Sequence, residues 1–214
     1  RFFYYTVKNC IFAVDSNIKS MIKRRLKQLI IPRLFKGKAI VLTGPRQVGK
    51  TTLLRMLMAE TDEKTLFWNC DEPDIRQKLS NPTSTQLQAD TAQADLVLID
   101  EAQRVQNIGI TLKLLIDNFP EKQIIVTGSS ALQLSNSINE PLTGRKYEYN
   151  MLPFSSEELI DDHSDTEEKR LLERRMVYGM YPEVVNLPGD ERETLSNLVN
   201  SYLYKDVFAF QDIS

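Results

Sequence analysis

The chain has 214 residues, of which 42% are hydrophobic and 26% charged, and its formal net charge is −2. These values are typical of a globular protein large enough for one α/β domain. Its two cysteines, Cys10 and Cys70, lie far apart and it has a single histidine, so neither a disulfide framework nor a zinc site is indicated. No apolar run approaches the roughly 18 residues that span a membrane, and no signal peptide is evident. We therefore expect a cytoplasmic protein.

The N-terminal part of the chain is basic and the C-terminal part is acidic. Residues 1–55 carry thirteen Lys and Arg against one acid, whereas residues 155–193 carry twelve Asp and Glu against five Lys and Arg. Residues 1–15 match no pattern that we can assign. Residues 16–30 have helical apolar spacing and predict an amphipathic helix that is capped by Asp15 or Ser16 and ends before Pro32. Its basic face is a solvated surface or a nucleic-acid stripe, and the sequence favours the first.

An apolar run at residues 39–43 predicts a buried strand, and it leads through a glycine-bounded turn into a helix. The turn has the spacing G-x-x-x-x-G-K-[ST] of a phosphate-binding loop, with Gly44, Gly49, Lys50 and Thr51 at its fixed positions. Backbone N–H groups at a helix N-terminus bind phosphates, Lys50 would reach the β- and γ-phosphates, and Thr51 would hold Mg²⁺. The remaining candidate contacts to the nucleotide are Pro45, Arg46, Gln47, Val48 and Thr52. A glycine turn that merely precedes a lysine is the structural alternative.

A second chemical signal follows about fifty residues later. Residues 66–70 predict a second strand, and a helix with Pro73 in its first turn follows it. Leu96–Ile99 then predict a strand buried on both faces, with Asp100 and Glu101 at its carboxyl end, where open α/β sheets bind ligands. Asp100 would orient a ligand of Mg²⁺, and Glu101 would polarise the attacking water. Alone, a strand that ends in Asp-Glu is more commonly explained by a helix N-cap, but its position about fifty residues after a phosphate loop favours the catalytic interpretation.

Two further candidates follow the next strand, which is predicted at residues 123–127. Thr127 or Ser129 would lie between Mg²⁺ and the γ-phosphate, although Ser129 or Ser130 would equally cap a helix through residues 131–134. Arg145 precedes a predicted edge strand at 145–151. It is either a cationic finger that stabilises the transferring phosphoryl group, in its own chain or in a neighbour, or a surface arginine.

Residues from 153 onward predict helices. We expect a helical connecting region at 153–189, with a capped helix at 154–160 and another from Thr166 to about Tyr178. A long helix from Glu191 to about Gln211 carries an apolar stripe that would suit a partner surface. We assign residues 16–152 to one domain and residues 190–214 to the beginning of a second domain.

Several blocks together resemble one family. They are GPRQVGKTTLL, NCDEPDIR, LVLIDEAQRV, IIVTGSSALQL, PLTGRKYEYNMLPFS, YGMYPEVV and YLYKDV. Together they resemble the prokaryotic AAA-like P-loop ATPases whose ATPase domain precedes a C-terminal DUF4143 domain. The resemblance implies an α/β fold with a parallel sheet of order 5-1-4-3-2, a catalytic glutamate, and a C-terminal domain that is mostly absent here. Thr143 departs from the family's usual alanine or serine.

The sequence therefore predicts Mg²⁺-dependent ATP hydrolysis coupled to a conformational change of the C-terminal region. The catalytic candidates are Lys50, Glu101 and Arg145. A small-molecule kinase would need an arginine-rich lid, for which the sequence offers only Arg145. A nucleotide-regulated binding module for protein or nucleic acid is the third possibility, and the basic segment at 16–30 motivates it. Among partners, we favour a protein or a second copy bound through the C-terminal region.

Overall fold

Five parallel strands form one sheet in the computed structural model, which describes residues 21–129, 138 and 140–200. The order across the sheet is β2-β3-β4-β1-β5, with every pairing parallel, and this confirms the predicted order. The strands are β1 (Ala39–Thr43), β2 (Thr65–Asn69), β3 (Leu96–Asp100), β4 (Gln123–Gly128) and β5 (Lys146–Asn150). Because all strands run in the same direction, their carboxyl ends lie at one edge of the sheet.

The burial of the strands follows their place in the sheet. Every residue of β1, β3 and β4 is buried, whereas the edge strands β2 and β5 are mostly half-exposed. Successive side chains of a strand point to opposite faces, so both faces of the three inner strands are covered. This explains why the inner strands are continuous apolar runs and β5 alternates.

Five α-helices with described bounds accompany the sheet between residues 21 and 151. They are α1 (Leu26–Ile30), α2 (Lys50–Glu60), α3 (Pro73–Leu79), α4 (Ser84–Thr91) and α5 (Ile108–Asn118), and short 3₁₀ turns lie at Ile31–Arg33 and Ala102–Arg104. One face of the sheet presents alternate residues such as Val97 and Ile99 to a core that also includes Leu79, Leu87 and Leu112 from α3, α4 and α5. This packing fixes the strands whose carboxyl ends carry the candidate site.

The chain divides into two compact units. The first contains the residues up to Pro45 and Lys50–Met151, and the second contains Arg46–Gly49 and the residues from Leu152 onward. The second unit is helical, with α6 (Ser156–Asp162), α7 (Asp165–Arg170), α8 (Leu172–Tyr178), α9 (Pro182–Asn186) and α10 (Glu191–Leu198). Residues of the predicted connecting region and the described beginning of the predicted second domain thus fall in one unit.

Within the second unit, a buried ion cluster joins α7 to α8. Glu168 accepts hydrogen bonds from Arg175 at 2.9 Å and 3.3 Å and lies 2.8 Å from Nε2 of His163. Burial alone would raise the pKa of the Glu168 carboxyl, but the hydrogen bonds from Arg175 and His163 outweigh it and the pKa is lowered. Arg174 forms a further ion pair with Glu191 of α10.

Two helix predictions need correction. The helix predicted at 16–30 begins at Leu26 in the described residues, and Arg24, one of the basic residues of this segment, is buried. The predicted cap at Asp15 or Ser16 lies outside the described residues. The helix predicted from Thr166 to Tyr178 is interrupted at Leu171, where the buried pair between Glu168 and Arg175 crosses the break. In both places, tertiary packing overrides local propensity.

The capped helix expected at 154–160 is confirmed, because Ser155 and Glu158 form a complete capping box at the start of α6. The helix expected from Glu191 is also confirmed where the structure describes it, as far as Leu198. No helix among the described residues is long and apolar enough to cross a membrane.

Candidate functional site

The predicted phosphate loop joins β1 to α2. Gly44 follows the strand with a φ of +144°, and a Cβ at this position would lie 2.1 Å from the carbonyl oxygen of Met151. Gln47 and Gly49 also have positive φ values, of 60° and 97°. Only glycine fits at position 44, because both the backbone conformation and the neighbouring carbonyl exclude a side chain.

Lys50 is the first residue of α2, and its side chain is buried. Its ammonium group donates hydrogen bonds to the carbonyl oxygens of Gly44 at 2.9 Å and Pro45 at 2.7 Å. The lysine therefore folds back toward the beginning of the loop that precedes it. A buried cation at a helix N-terminus is costly on its own, and it indicates a place where negative charge is bound.

Asp100 ends β3, two strands away from β1 in the sheet, and its carboxylate is buried. Oδ2 accepts a hydrogen bond from the Thr51 hydroxyl at 2.7 Å, and Oδ1 accepts one from the Thr127 hydroxyl. The helix that follows β1 and the ends of β3 and β4 thus meet at one carboxylate. This contact brings together residues that lie about fifty positions apart in the sequence.

Thr127 links the two acidic residues of the site. Its hydroxyl donates to Asp100 and accepts the backbone N–H of Glu101 at 3.1 Å, and the side chain is fully buried. Glu101 itself adopts the left-handed conformation, with φ 54° and ψ 41°. A residue other than glycine keeps this conformation only where its surroundings hold it.

The Glu101 carboxylate lies beside Ser129, the residue that follows β4. Oε2 of Glu101 accepts hydrogen bonds from the Ser129 hydroxyl at 3.0 Å and from Nε2 of Gln103 at 2.5 Å. Both residues that we predicted at the end of β4 therefore contact the acidic pair. Thr127 contacts Asp100, and Ser129 contacts Glu101. The helix that Ser129 or Ser130 would cap lies at 131–134, outside the described residues.

Cys70 lies close to the acidic residues at this edge of the sheet. Burial, together with the nearby Asp100 and Asp71 carboxylates, raises the pKa of the Cys70 thiol to about 12. Cys70 follows β2, and its backbone N–H donates to the carbonyl of Asp100 at 3.0 Å.

The donor set fits Mg²⁺ better than a transition metal. The Asp100 carboxylate and the Thr51 hydroxyl are in contact, and the described residues contain no group of three or more His, Cys, Asp or Glu side chains that could hold a metal ion. Mg²⁺ is typically bound through one or two protein oxygens, with phosphate and water completing the shell. The residues present therefore fit this ion together with a nucleotide.

The other loop residues vary in exposure. Among the residues predicted to contact the nucleotide, Val48 is buried, Pro45 and Gln47 are exposed, and Arg46, Gly49, Thr51 and Thr52 are half-buried.

Arg145 does not join this group in its own chain. It immediately precedes β5, where its carbonyl accepts the N–H of Ala39 at the amino end of β1, and its side chain pairs with Asp117 at 2.6 Å. Because the strands are parallel, Arg145 lies at the edge opposite the acidic pair. A five-residue strand separates the two edges by roughly 16 Å, so the position of Arg145 favours the surface arginine or a role in a neighbouring chain over a finger within the same chain.

Gln103 is a site residue that sequence reasoning did not select. It lies two residues after Glu101, in the 3₁₀ turn that β3 enters. Gln103 belongs to the block LVLIDEAQRV, but its contact with Glu101 depends on the left-handed conformation of Glu101, which the sequence pattern does not predict.

A family model described as an AAA domain matches residues 36–160, which include the loop, the acidic pair and every strand of the sheet. The chain belongs to this AAA domain family. No finding bears on the DUF4143 part of the predicted resemblance.

Three relatives share part of the sequence of this AAA domain protein. Uncharacterized proteins of Mycobacterium bovis and Mycobacterium tuberculosis are each 32% identical over 113 residues, covering 52% of this chain and 24% of their own length. An uncharacterized protein of Haemophilus influenzae is 27% identical over 213 residues, covering 88% of this chain and 51% of its own length. The chain thus spans about a quarter to a half of these relatives.

A solved structure shares the fold. The Walker-type ATPase of Pyrococcus abyssi superposes with a TM-score of 0.59 at 15% identity, covering 90% of this chain and 75% of that one. At this identity, the likeness supports the α/β P-loop fold of the AAA domain protein and not a shared substrate.

Proposed function

We propose that this AAA domain protein binds ATP with Mg²⁺ and hydrolyses it to ADP and phosphate. The hydrogen bond between Thr51 and Asp100 carries the proposal, because it joins the end of the phosphate loop to the acidic strand end. Lys50 is buried at the start of the same helix, and Glu101 follows Asp100 directly. Phosphoryl transfer to water requires a phosphate-binding loop, a cation, ligands for the metal ion and a general base.

Each residue has a distinct role in this proposal. Backbone N–H groups of the loop from Gly44 to Lys50 bind the phosphate oxygens, and the Lys50 ammonium exchanges its carbonyl partners for the β- and γ-phosphates. Thr51 and Asp100 would hold Mg²⁺. Bound Mg²⁺ supplies positive charge that neutralises the phosphate oxygens. Glu101 takes a proton from the attacking water.

We also propose that hydrolysis is coupled to the helical C-terminal region. The supporting contact lies at the end of the first unit, where the Met151 N–H donates to Thr43 at 2.7 Å and the Met151 carbonyl lies against Gly44. The next residue, Leu152, begins the second unit. A movement of the loop on nucleotide binding would therefore act on the backbone at the beginning of that unit.

Two substitutions in the 214-residue chain test the proposal. Lys50→Ala should abolish ATP binding, whereas Glu101→Gln should retain binding and lower phosphate release roughly 100-fold or more. Calorimetry with and without Mg²⁺ measures binding, and a phosphate assay measures turnover. Lys64→Ala and Glu63→Gln serve as matched controls, because both residues are exposed and precede β2.

The outcomes separate the alternatives. If ATP binds but Glu101→Gln leaves phosphate release unchanged, the chain is a nucleotide-regulated binding module and the hydrolysis proposal is overturned. If labelled phosphate appears on a small-molecule acceptor and not on water, the activity is that of a kinase.

A further inference from the structure

Gln103, Ser129 and Glu101 form a closed set of three hydrogen bonds. Nε2 of Gln103 donates to Glu101 Oε2 at 2.5 Å and to the Ser129 hydroxyl at 2.9 Å, and that hydroxyl donates to the same Oε2 at 3.0 Å. Every donor and acceptor role in this arrangement is consistent, since an amide nitrogen has two hydrogens and a hydroxyl has one. We call this set the Glu101 clamp.

The orientation of the Gln103 amide follows from chemistry. If the amide were turned over, its oxygen would lie 2.5 Å from a carboxylate oxygen, and two acceptors would repel each other. With the nitrogen toward Glu101, the amide oxygen is buried and has no hydrogen-bond partner among the described residues. Gln103 therefore forms its side-chain hydrogen bonds here through the amide nitrogen, which donates to Glu101 and Ser129.

The clamp acts on one carboxylate oxygen only. Both side-chain hydrogen bonds to Glu101 in the described structure end at Oε2, so Oε1 is the oxygen that remains for water. At the other end of the residue, Thr127 accepts the backbone N–H at 3.1 Å and the backbone is held at a φ of 54°. Glu101 is thus fixed from its main chain and from its carboxylate.

We infer that Gln103 is a positioning residue for hydrolysis and that, together with Ser129, it holds Glu101 Oε2 so that Oε1 faces the attacking water. This inference rests on the proposed ATPase function and identifies what orients its base. A glutamate has three rotatable side-chain bonds, and a general base must lie within hydrogen-bond reach of the proton it accepts. Two donors on one oxygen remove most of that rotational freedom before the substrate binds.

The principal test is Gln103→Met, which keeps the length of the side chain and removes its donors. We expect kcat to fall about tenfold or more, while the dissociation constant of a non-hydrolysable ATP analogue changes less than about threefold. Ser129→Ala should lower kcat as well, and Ser129→Thr, which keeps the hydroxyl, should recover most of that loss. Gln106→Met is the matched control, because Gln106 is exposed three residues further along the chain.

A double mutant shows whether Gln103 acts through Glu101. In the Glu101→Gln background, Gln103→Met should cause no further loss of kcat, because the group that it orients is no longer a base. Thermal unfolding without nucleotide gives a second readout. Gln103→Met and Glu101→Ala should shift the melting temperature non-additively, since they break the same hydrogen bond.

The results distinguish two kinds of failure. Equal turnover in wild type and Glu101→Gln overturns the proposed function itself. If Glu101→Gln is inactive but both Gln103→Met and Ser129→Ala turn over at or above the wild-type rate, the positioning role is overturned, and a faster rate would identify a restraint that withholds the base. If Gln103→Met does not fold, the comparison of Ser129→Ala with Ser129→Thr decides alone.

Discussion

The carbonyl oxygen of Met151 occupies the space that a side chain on Gly44 would need, 2.1 Å from the position of its Cβ. The N–H of the same residue donates to Thr43 at 2.7 Å, so the backbone after β5 lies against the beginning of the phosphate loop. The beginning of the phosphate loop and the residue that follows β5 are therefore packed against each other through backbone atoms.

Gly44→Ala should therefore destabilise the folded protein much more than Gly37→Ala does. We expect the free energy of unfolding to fall by about 3 kcal/mol or more, because the methyl group meets backbone that has no freedom to rotate away. Gly37→Ala is the control, since Gly37 also has a positive φ of 67° but nothing within 4 Å of an added Cβ. It should cost about 1 kcal/mol. Urea denaturation measures both, and equal losses would contradict the steric account.

Thr127→Val tests the buried hydroxyl between the two acidic residues. The substitution keeps the shape and leaves the Glu101 N–H and one Asp100 oxygen without this partner, so the free energy of unfolding should fall by about 1 to 3 kcal/mol. Turnover should fall as well. Thr111→Val is the control, because Thr111 is equally buried and bonds the Leu79 carbonyl at 2.8 Å in the α3–α5 region. A comparable loss of turnover in that control would show that stability alone is responsible.

Arg145→Ala tests the remaining role for this arginine, which is to act on a neighbouring copy. At dilute concentrations, the substitution should leave hydrolysis per chain unchanged. If Arg145 completes a neighbour's site, the wild-type rate per chain should rise with protein concentration and the Arg145→Ala rate should not. Asp117→Ala breaks the same exposed ion pair but keeps the arginine, so it should behave as wild type. Concentration-independent rates in all three proteins would argue against a role in a neighbour.

The buried ion cluster should make the second unit sensitive to acid. Because the pKa of Glu168 is lowered on folding, its contribution to stability is present above the pKa of the unfolded carboxyl, near 4.5, and is lost as pH falls through the folded value. Arg175→Ala should destabilise the unit by about 3 kcal/mol or more at pH 7, since it leaves a buried carboxylate with one partner fewer. Circular dichroism across pH 3 to 8 records both effects.

Lys169→Ala provides the comparison for that measurement. Lys169 pairs with Asp165 on the same helix, but both side chains are well exposed, so little or no change is expected. A loss as large as that of Arg175→Ala would mean that burial of the cluster is not what stabilises it.

Cys70 should resist alkylation. The thiolate is the reactive form, and a pKa of about 12 leaves almost none of it at pH 8. In a Cys10→Ser variant, iodoacetamide should modify Cys70 slowly in the native protein and rapidly in urea, as followed by mass spectrometry. The raised pKa also means that the thiol favours the folded state below about pH 9 and that this contribution is lost as pH rises toward 12. Rapid native labelling would indicate that the end of β2 opens readily.

The sequence placed the sheet and the acidic pair well because both depend on local patterns. Strands buried on both faces are short apolar runs, and a residue at the end of such a run must lie at the carboxyl edge of a parallel sheet. This argument predicts the positions of Asp100 and Glu101, whereas the spacing of the phosphate loop predicts Lys50 and Thr51.

The misses have equally specific causes. Arg145 directly precedes β5, and because β5 runs parallel to β1, as expected, this residue lies at the edge of the sheet opposite the acidic pair. Gln103 was missed because Glu101 adopts a conformation that glutamate rarely adopts. The predicted helix at 16–30 begins only at Leu26 in the described residues, and Arg24 is buried, which a pattern of charges does not reveal.

The direction of the strands and the inert thiol at the end of β2 have a practical consequence. Glu121 is exposed in the turn before β4, at the edge of the sheet opposite the acidic pair. In a Cys10→Ser background, a cysteine introduced as Glu121→Cys can carry a fluorophore while Cys70 stays unlabelled. The dye would lie one strand length, roughly 16 Å, or somewhat more from a fluorescent ATP analogue. Energy transfer between the dye and the analogue would then report nucleotide binding and release in real time, with the label placed away from the candidate site.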